Sequence, residues 1–323
     1  MLNKLRALFL GFMALALAGA AWGQVFPTHP VRIIVPAGPG GPDVVGRIMA
    51  AKLGDRMGQS FIVENHPGAN GILGADMVAR AAPDGYTLMV YSSGLISNKS
   101  LYKKLPYDTD TAFAPISNLV DNGGLFITVH PSVPAKTLQE LIALAKKPDV
   151  HLAYSTPGVG NTWHVATEVF SHYAGIKMTH IPYKGGGLAA AALASGEVQV
   201  ILSSPAPIIP HARSGKARVL AYTAKTRAAS MPDVPTTAEA GLPTFQMDGG
   251  WFGMFAPAGT PNAIVDRLNK EVRAVLADPP TVTRLRGIGV EPAPTSPDEF
   301  REFLRDETKK YAEWVRIAHI QLE

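Results

Sequence analysis

The chain's richest concentration of groups able to hold an anion is Pro36-Ala37-Gly38-Pro39-Gly40-Gly41-Pro42-Asp43, which joins the apolar run Val31–Val35 to a helix-patterned segment. A glycine-rich strand-to-helix turn presents bare backbone N–H groups beside the positive end of a helix dipole. A small anionic ligand suits those groups. Asp43, at the start of that helix, reads as an N-cap that fixes the loop rather than as a ligand contact. Three more turns of small hydrogen-bonding residues follow strand-like runs: Ser92-Ser93-Gly94, Thr156 to Asn161, and Tyr183 to Gly187. Ligands of open α/β sheets sit outside the carboxyl ends of strands, where such loops meet helix N-termini. Singly, each is an ordinary strand-to-helix turn; together, with two on each of two lobes, they predict a cleft that grips an anion from both sides.

Other chemistries find less support. His164 and Glu168 lie four apart on one predicted helix, and a histidine–carboxylate pair can orient a general base. The same spacing also serves a helix-stabilising pair, or leaves His164 to bond the adjacent loop. No Gly-x-Ser-x-Gly elbow is present, the 36–43 loop lacks the Gly-Lys-Ser/Thr ending of a phosphate loop, and Gly38-Pro39-Gly40-Gly41 departs from the dinucleotide fingerprint. The nine histidines show no His-Glu-x-x-His spacing, so neither a metal nor a cofactor is expected. Lys184 offers either a charge for an anion or a solvated loop lysine. Trp163, Tyr183 and Trp251 read as cleft walls or as packing residues, with packing favoured for Trp251 because it falls within a strand.

These turns must be carried by elements that alternate strand and helix. Val44, Val45, Ile48, Met49, Leu53 and Met57 form one apolar helix stripe, closed by Gly58. Phe61-Ile62-Val63, Tyr86 to Tyr91, Leu125 to Val129, Leu152 to Ser155, Met178 to Ile181 and Val198 to Leu202 read as strands. Thr137-Leu138-Gln139-Glu140 and Ser296-Pro297-Asp298-Glu299 are helix-start signals, and Pro261 opens an amphipathic helix along Ile264, Leu268, Val272 and Leu276. The pattern is that of an α/β protein. Gly123-Gly124 and Gly249-Gly250 mark crossings between lobes, which gives residues 24–121 and 248–323 to a discontinuous first lobe and 122–247 to a second. Lys4 and Arg6, the apolar run Ala7 to Ala21 and the small residues around Trp22 predict a signal peptide over 1–23, with a mature start at Gln24. Without Lys4 and Arg6 the balance is 28 basic to 26 acidic residues, from 30 and 26 in the whole chain, and no basic run argues for nucleic acid. No cysteine occurs, so no disulfide framework exists and stability rests on a packed core.

An ordered set of motifs carries a resemblance. Val35 to Asp43, Glu64-Asn65-x-Pro67-Gly68-Ala69, Ala82-Pro83-Asp84-Gly85-Tyr86-Thr87-Leu88, Leu105-Pro106-Tyr107-Asp108, Ile181 to Gly185 and Ala256 to Pro261 resemble the Bug family, the extracytoplasmic receptors of tripartite tricarboxylate transporters. The resemblance spans essentially the whole mature chain. It implies a type II periplasmic-binding-protein fold with hinge strands, a small organic carboxylate as ligand, membrane permease subunits as partners, and a monomeric, non-enzymatic periplasmic protein. Carried over by motif, the ligand contacts are Ala37, Gly38, Gly40, Ser92 and Ser93 from the first lobe. Thr156, Gly158, Asn161, Tyr183, Lys184, Gly185 and Ser203 supply the second. Relatives commonly carry an aspartate where this chain has Ser203, which disfavours a ligand ammonium. Trp163 replaces a small polar residue and either walls the cleft or points into its lobe. A sensor serving a membrane signalling partner and an exported hydrolase built on His164 and Glu168 are the competing readings.

Overall fold

Val31–Val35 (β1) is buried at four of its five positions and pairs in parallel with Phe61–Asn65 (β2) on one side and Thr87–Ser92 (β3) on the other. A strand covered on both faces has no reason to alternate polar and apolar residues, which accounts for its unbroken Ile-Ile-Val. The computed structural model describes residues 26–320. The segment read as a signal peptide lies outside the described residues.

Two sheets share one plan. In the first, β2, β1 and β3 are followed by Trp251–Pro257 (β10), which runs antiparallel between β3 and Phe113–Asp121 (β4), with Glu291–Pro292 (β11) at the edge. In the second, Ala153–Thr156 (β6) lies parallel between Thr179–Pro182 (β7) and Val200–Ser203 (β8). Phe126–Val129 (β5) then runs antiparallel between β8 and Arg218–Tyr222 (β9). Each sheet thus takes in one antiparallel strand from a chain segment that has just crossed over. The crossing segments hold one another: Asn122 donates its backbone N–H to Gly250 O at 2.9 Å, and Gly249 to Gly123 O at 3.1 Å. Glycine suits this hinge sterically, since a Cβ on Gly249 would lie 2.6 Å from Gly124 O.

Helices cover the sheets. Those of the first lobe are Gly41–Met57 (α1), Ile72–Ala79 (α2) and Gly94–Leu101 (α3). Leu138–Ala145 (α4), Thr162–Ala174 (α5), Gly186–Ser195 (α6) and Pro205–Arg213 (α7) cover the second, and Asn262–Leu276 (α8), Pro279–Gly287 (α9) and Pro297–Ala318 (α10) follow the return. α1 ends on Gly58 at φ +72°, and α10 opens with a complete Ser296–Glu299 capping box. At α4 the box is shifted: Thr137 caps Glu140, but the Glu140 carboxylate accepts from the backbone of Lys136. α10 joins both cores. Phe300 and Tyr311 pack in the aromatic cluster with Trp251 and Phe255, whereas Val315 and Ala318 pack in the core of the second sheet.

Several elements exceed the sequence expectation. β4 is a nine-residue strand despite Pro115. β11 pairs only with Val120 and Asp121, so Pro115 sits where one flank of β4 has no strand neighbour and a missing N–H costs no ladder bond. α7 carries three prolines, two of them in its first turn, where an N–H has no partner inside the helix.

Candidate functional site

A cleft of about 570 Å³ opens between the two lobes at the carboxyl ends of the parallel strands. Its first wall is the loop from Pro36 to Pro42, with Pro67–Gly71, Ser92 and Ser93. Opposite lie Pro157 to Val159, Asn161 to Trp163, Tyr183 to Gly186, and Ser204. The walls touch at their rim: a Cβ on Gly38 would lie 3.0 Å from the Lys184 carbonyl oxygen, and one on Gly185 3.1 Å from that of Pro39.

The N-termini of six helices reach this space, α1, α2 and α3 from one lobe and α5, α6 and α7 from the other. α1 and α6 are entered through Gly40 and Gly185, neither of which supplies a capping side chain. Among the described residues, no protein acceptor takes the backbone N–H of Gly38, Gly40, Gly41, Lys184, Gly185 or Gly186. Lys184 is the one charged side chain among the described lining residues, and no carboxylate lines the cleft there. Unpaired amides, dipole ends and one cation form a field for an anion built chiefly from backbone.

Each loop is braced from behind. Asp43 is not the N-cap that its position suggested: the helix begins two residues earlier, because Gly40 turns the chain and Pro42 fits the first turn. Asp43 instead accepts from Arg47 Nε at 3.0 Å; Arg47 reaches Asn65 Oδ1, and Asn65 Nδ2 donates to the Ala37 carbonyl, each at 3.0 Å. It therefore steadies the loop through two intermediaries. On the other side Asn161 caps α5 by accepting from the Trp163 N–H, leaving its Nδ2 as the donor to the cleft.

Eleven of the thirteen residues singled out for ligand contact or specificity line the cleft: Ala37, Gly38, Gly40, Ser92, Ser93, Gly158, Asn161, Trp163, Tyr183, Lys184 and Gly185. Thr156 and Ser203 do not. Both are fully buried at strand ends, where Thr156 Oγ1 lies 2.6 Å from His180 Nε2 and Ser203 Oγ donates to the Ser204 carbonyl. Ser204 lines the cleft in place of Ser203, so the case against a ligand ammonium rests on the whole lining rather than on one position. Trp163 lines the cleft while its six-membered ring backs Gly186, where a Cβ would come within 2.8 Å of Cη2. Trp251 is core: its indole donates to Glu307 and its ring meets Phe300 edge-on.

His164 and Glu168 do not form a base pair. His164 Nδ1 accepts from Gly160 N–H at 3.0 Å and its ring stacks 3.9 Å from that of His180, while Glu168 accepts from the Tyr154 hydroxyl. Burial, with His180 adding to it, pushes His164 down to about 3, and burial pushes His180 down to about 4. Both rings are thus neutral supports beneath the second wall. Asn70, Asn122, Thr162 and Gly249 line the cleft without having been singled out. The Pro67-Gly68-Ala69 motif was the available signal for the Asn70 loop, which Tyr91 and Asn98 pin by donating to the Asn70 carbonyl.

Residues 45–319 match the family model for the tripartite tricarboxylate transporter family receptor. The chain is 34% identical over 326 residues to protein BugT of Bordetella pertussis, covering 100% of this chain and 99% of that one. Among solved structures it is similar to Rpa4515 of R. palustris with adipate, at TM-score 0.87 and 32% identity, covering 92% and 99% of the two chains. It is likewise similar to MatC of Rhodopseudomonas palustris with bound malate, at TM-score 0.83 and 31% identity, covering 90% and 100%. With a two-sheet architecture, a cleft at the strand ends and a family match across most of its length, the chain belongs to the Bug-type solute-binding receptors of the tripartite tricarboxylate transporter family.

Proposed function

We propose that the protein works in the periplasm, captures a small organic carboxylate between its lobes and delivers it to the membrane permease of a tripartite tricarboxylate-type transporter. The observation that carries this reading is the convergence of six helix N-termini on a cleft with one lysine and no carboxylate among its described lining residues. Such a lining favours a carboxylate and offers a ligand ammonium no ion-pair partner. Adipate and malate, held by two relatives, set the size class. The ligand shifts an open–closed equilibrium by binding both walls, and the closed form is what a permease reads.

A thermal-melt panel of mono-, di-, tri- and aromatic carboxylates on mature protein stripped of prebound ligand tests the proposal. At about 100 times its Kd a ligand adds roughly 2.7 kcal/mol, a rise in Tm of about 5 °C or more. The acid should be recovered unchanged. A flat response across the whole panel contradicts the proposal.

A further inference from the structure

Three hydroxyls from distant parts of the chain meet at the floor of the cleft. Tyr311, on α10, donates to Ser93 Oγ at 2.8 Å, and Ser93 Oγ lies 3.0 Å from Thr162 Oγ1 across the gap between the lobes. All three residues are buried, with exposures of 0%, 1% and 4%. Ser93 and Thr162 line the cleft; Tyr311 lies behind it. Room for the cluster comes from Gly250 on the hinge, where a Cβ would lie 2.6 Å from Ser93 Oγ and 3.3 Å from the Tyr311 oxygen.

The donor count gives the group a direction. Each hydroxyl carries one hydrogen, and two links consume two of the three. Burial holds the Tyr311 phenol far above its ordinary pKa, so its proton stays in place and is committed to Ser93. Nearby Glu307 accepts from Trp251 and Lys310 and does not compete for it. Whichever of Ser93 and Thr162 donates in their shared link, the hydrogen left over belongs to the other, and both face the cleft. Held on Thr162, that hydrogen can turn to the Tyr311 oxygen before a ligand binds, and a carboxylate oxygen is the stronger acceptor that draws it away.

Resting on the carboxylate reading above, we propose that Tyr311 is a positioning residue: through Ser93 it orients a relay that latches the lobes and points its spare hydrogen at the ligand carboxylate. The link from Ser93 to Thr162 joins the two walls without a ligand, and the ligand carboxylate then strengthens a latch that is already made.

The test uses mature protein carrying Tyr311→Phe, Thr162→Val, Thr162→Ser, or Tyr311→Phe with Thr162→Val. Adipate and malate binding is measured by calorimetry, and lobe separation by spin labels at Asp55→Cys and Lys177→Cys, both exposed in a chain without cysteine. Losing an oriented hydrogen bond to a charged group should lower affinity about tenfold in Tyr311→Phe and in Thr162→Val. The double variant should lose no more than the weaker-binding single, Thr162→Ser should bind like the parent, and both single losses should move the lobe distances outward even without ligand. Affinities within twofold of the parent with unmoved distances, or losses that simply add, overturn the proposal. If the parent binds neither acid, the choice of these acids fails while the ligand-free distances still judge the latch, and an unmoved distribution overturns it.

Discussion

Gly38→Val is expected to weaken carboxylate binding by about 10- to 100-fold while leaving the melting temperature of the ligand-free protein nearly unchanged. Gly38 sits on the first wall, and even a single Cβ there would press to 3.0 Å from the Lys184 carbonyl oxygen of the second. Valine adds two methyl groups at that point. The neighbour is backbone, held in place by the Tyr183 N–H bond to Thr156 O at 2.9 Å, so it gives little. No other contact within 4 Å restrains a Cβ at Gly38, so the open form loses nothing and the penalty falls on closure. Calorimetric titration beside a ligand-free melt checks both halves. Binding equal to the parent would mean that the bound state does not bring these walls together.

Acid should destabilise the protein well before its carboxylates are neutralised. His164 and His180 are stacked under the second wall, faced by Tyr154 and Glu168, with their pKa values pushed down to about 3 and about 4. A histidine depressed below its unfolded value of about 6.5 contributes fully above that pH. As the pH falls below it, the unfolded chain takes up protons that the folded rings refuse, and stability drains away until the folded values are reached. At about 1.4 kcal/mol per unit, the loss by pH 4 is on the order of 3 kcal/mol for His164, and smaller for the half-exposed His180, which solvent screens. His164→Asn keeps an acceptor for the Gly160 N–H without a group that titrates here, so its denaturant stability should fall less steeply between pH 6.5 and 4. Equal slopes in parent and variant would remove His164 as the cause.

Much of the fold was legible because its signals are local. The Val31–Val35 run, the glycines that follow it, Gly58 after α1 and the Ser296 capping box are each written within a few residues and each takes the form that its chemistry dictates. β4 was hidden because its tolerance of Pro115 depends on a neighbour, β11, that arrives some 170 residues later and covers only one end. Cleft loops could be read from strand-end glycines and serines, but strand-end residues divide between cleft and interior. Thr156 and Ser203 fell inward, one to His180 and the other to the Ser204 carbonyl. Tyr311 was beyond reach of any local pattern, since its partner Ser93 lies 218 residues away and α10 must first cross from one core to the other.

The central claim is that backbone amides on both walls, rather than charged side chains, hold a carboxylate. A crystal structure of the mature protein with the acid that it retains through gentle purification, or with the strongest acid of the thermal panel, tests this most directly. The account predicts one carboxylate in the cleft within about 3 Å of amide nitrogens drawn from Gly38, Gly40 and Gly41 on one side and Lys184, Gly185 and Gly186 on the other, directly or through single waters. A ligand held by the Lys184 ammonium alone, or one seated outside the cleft, would contradict it.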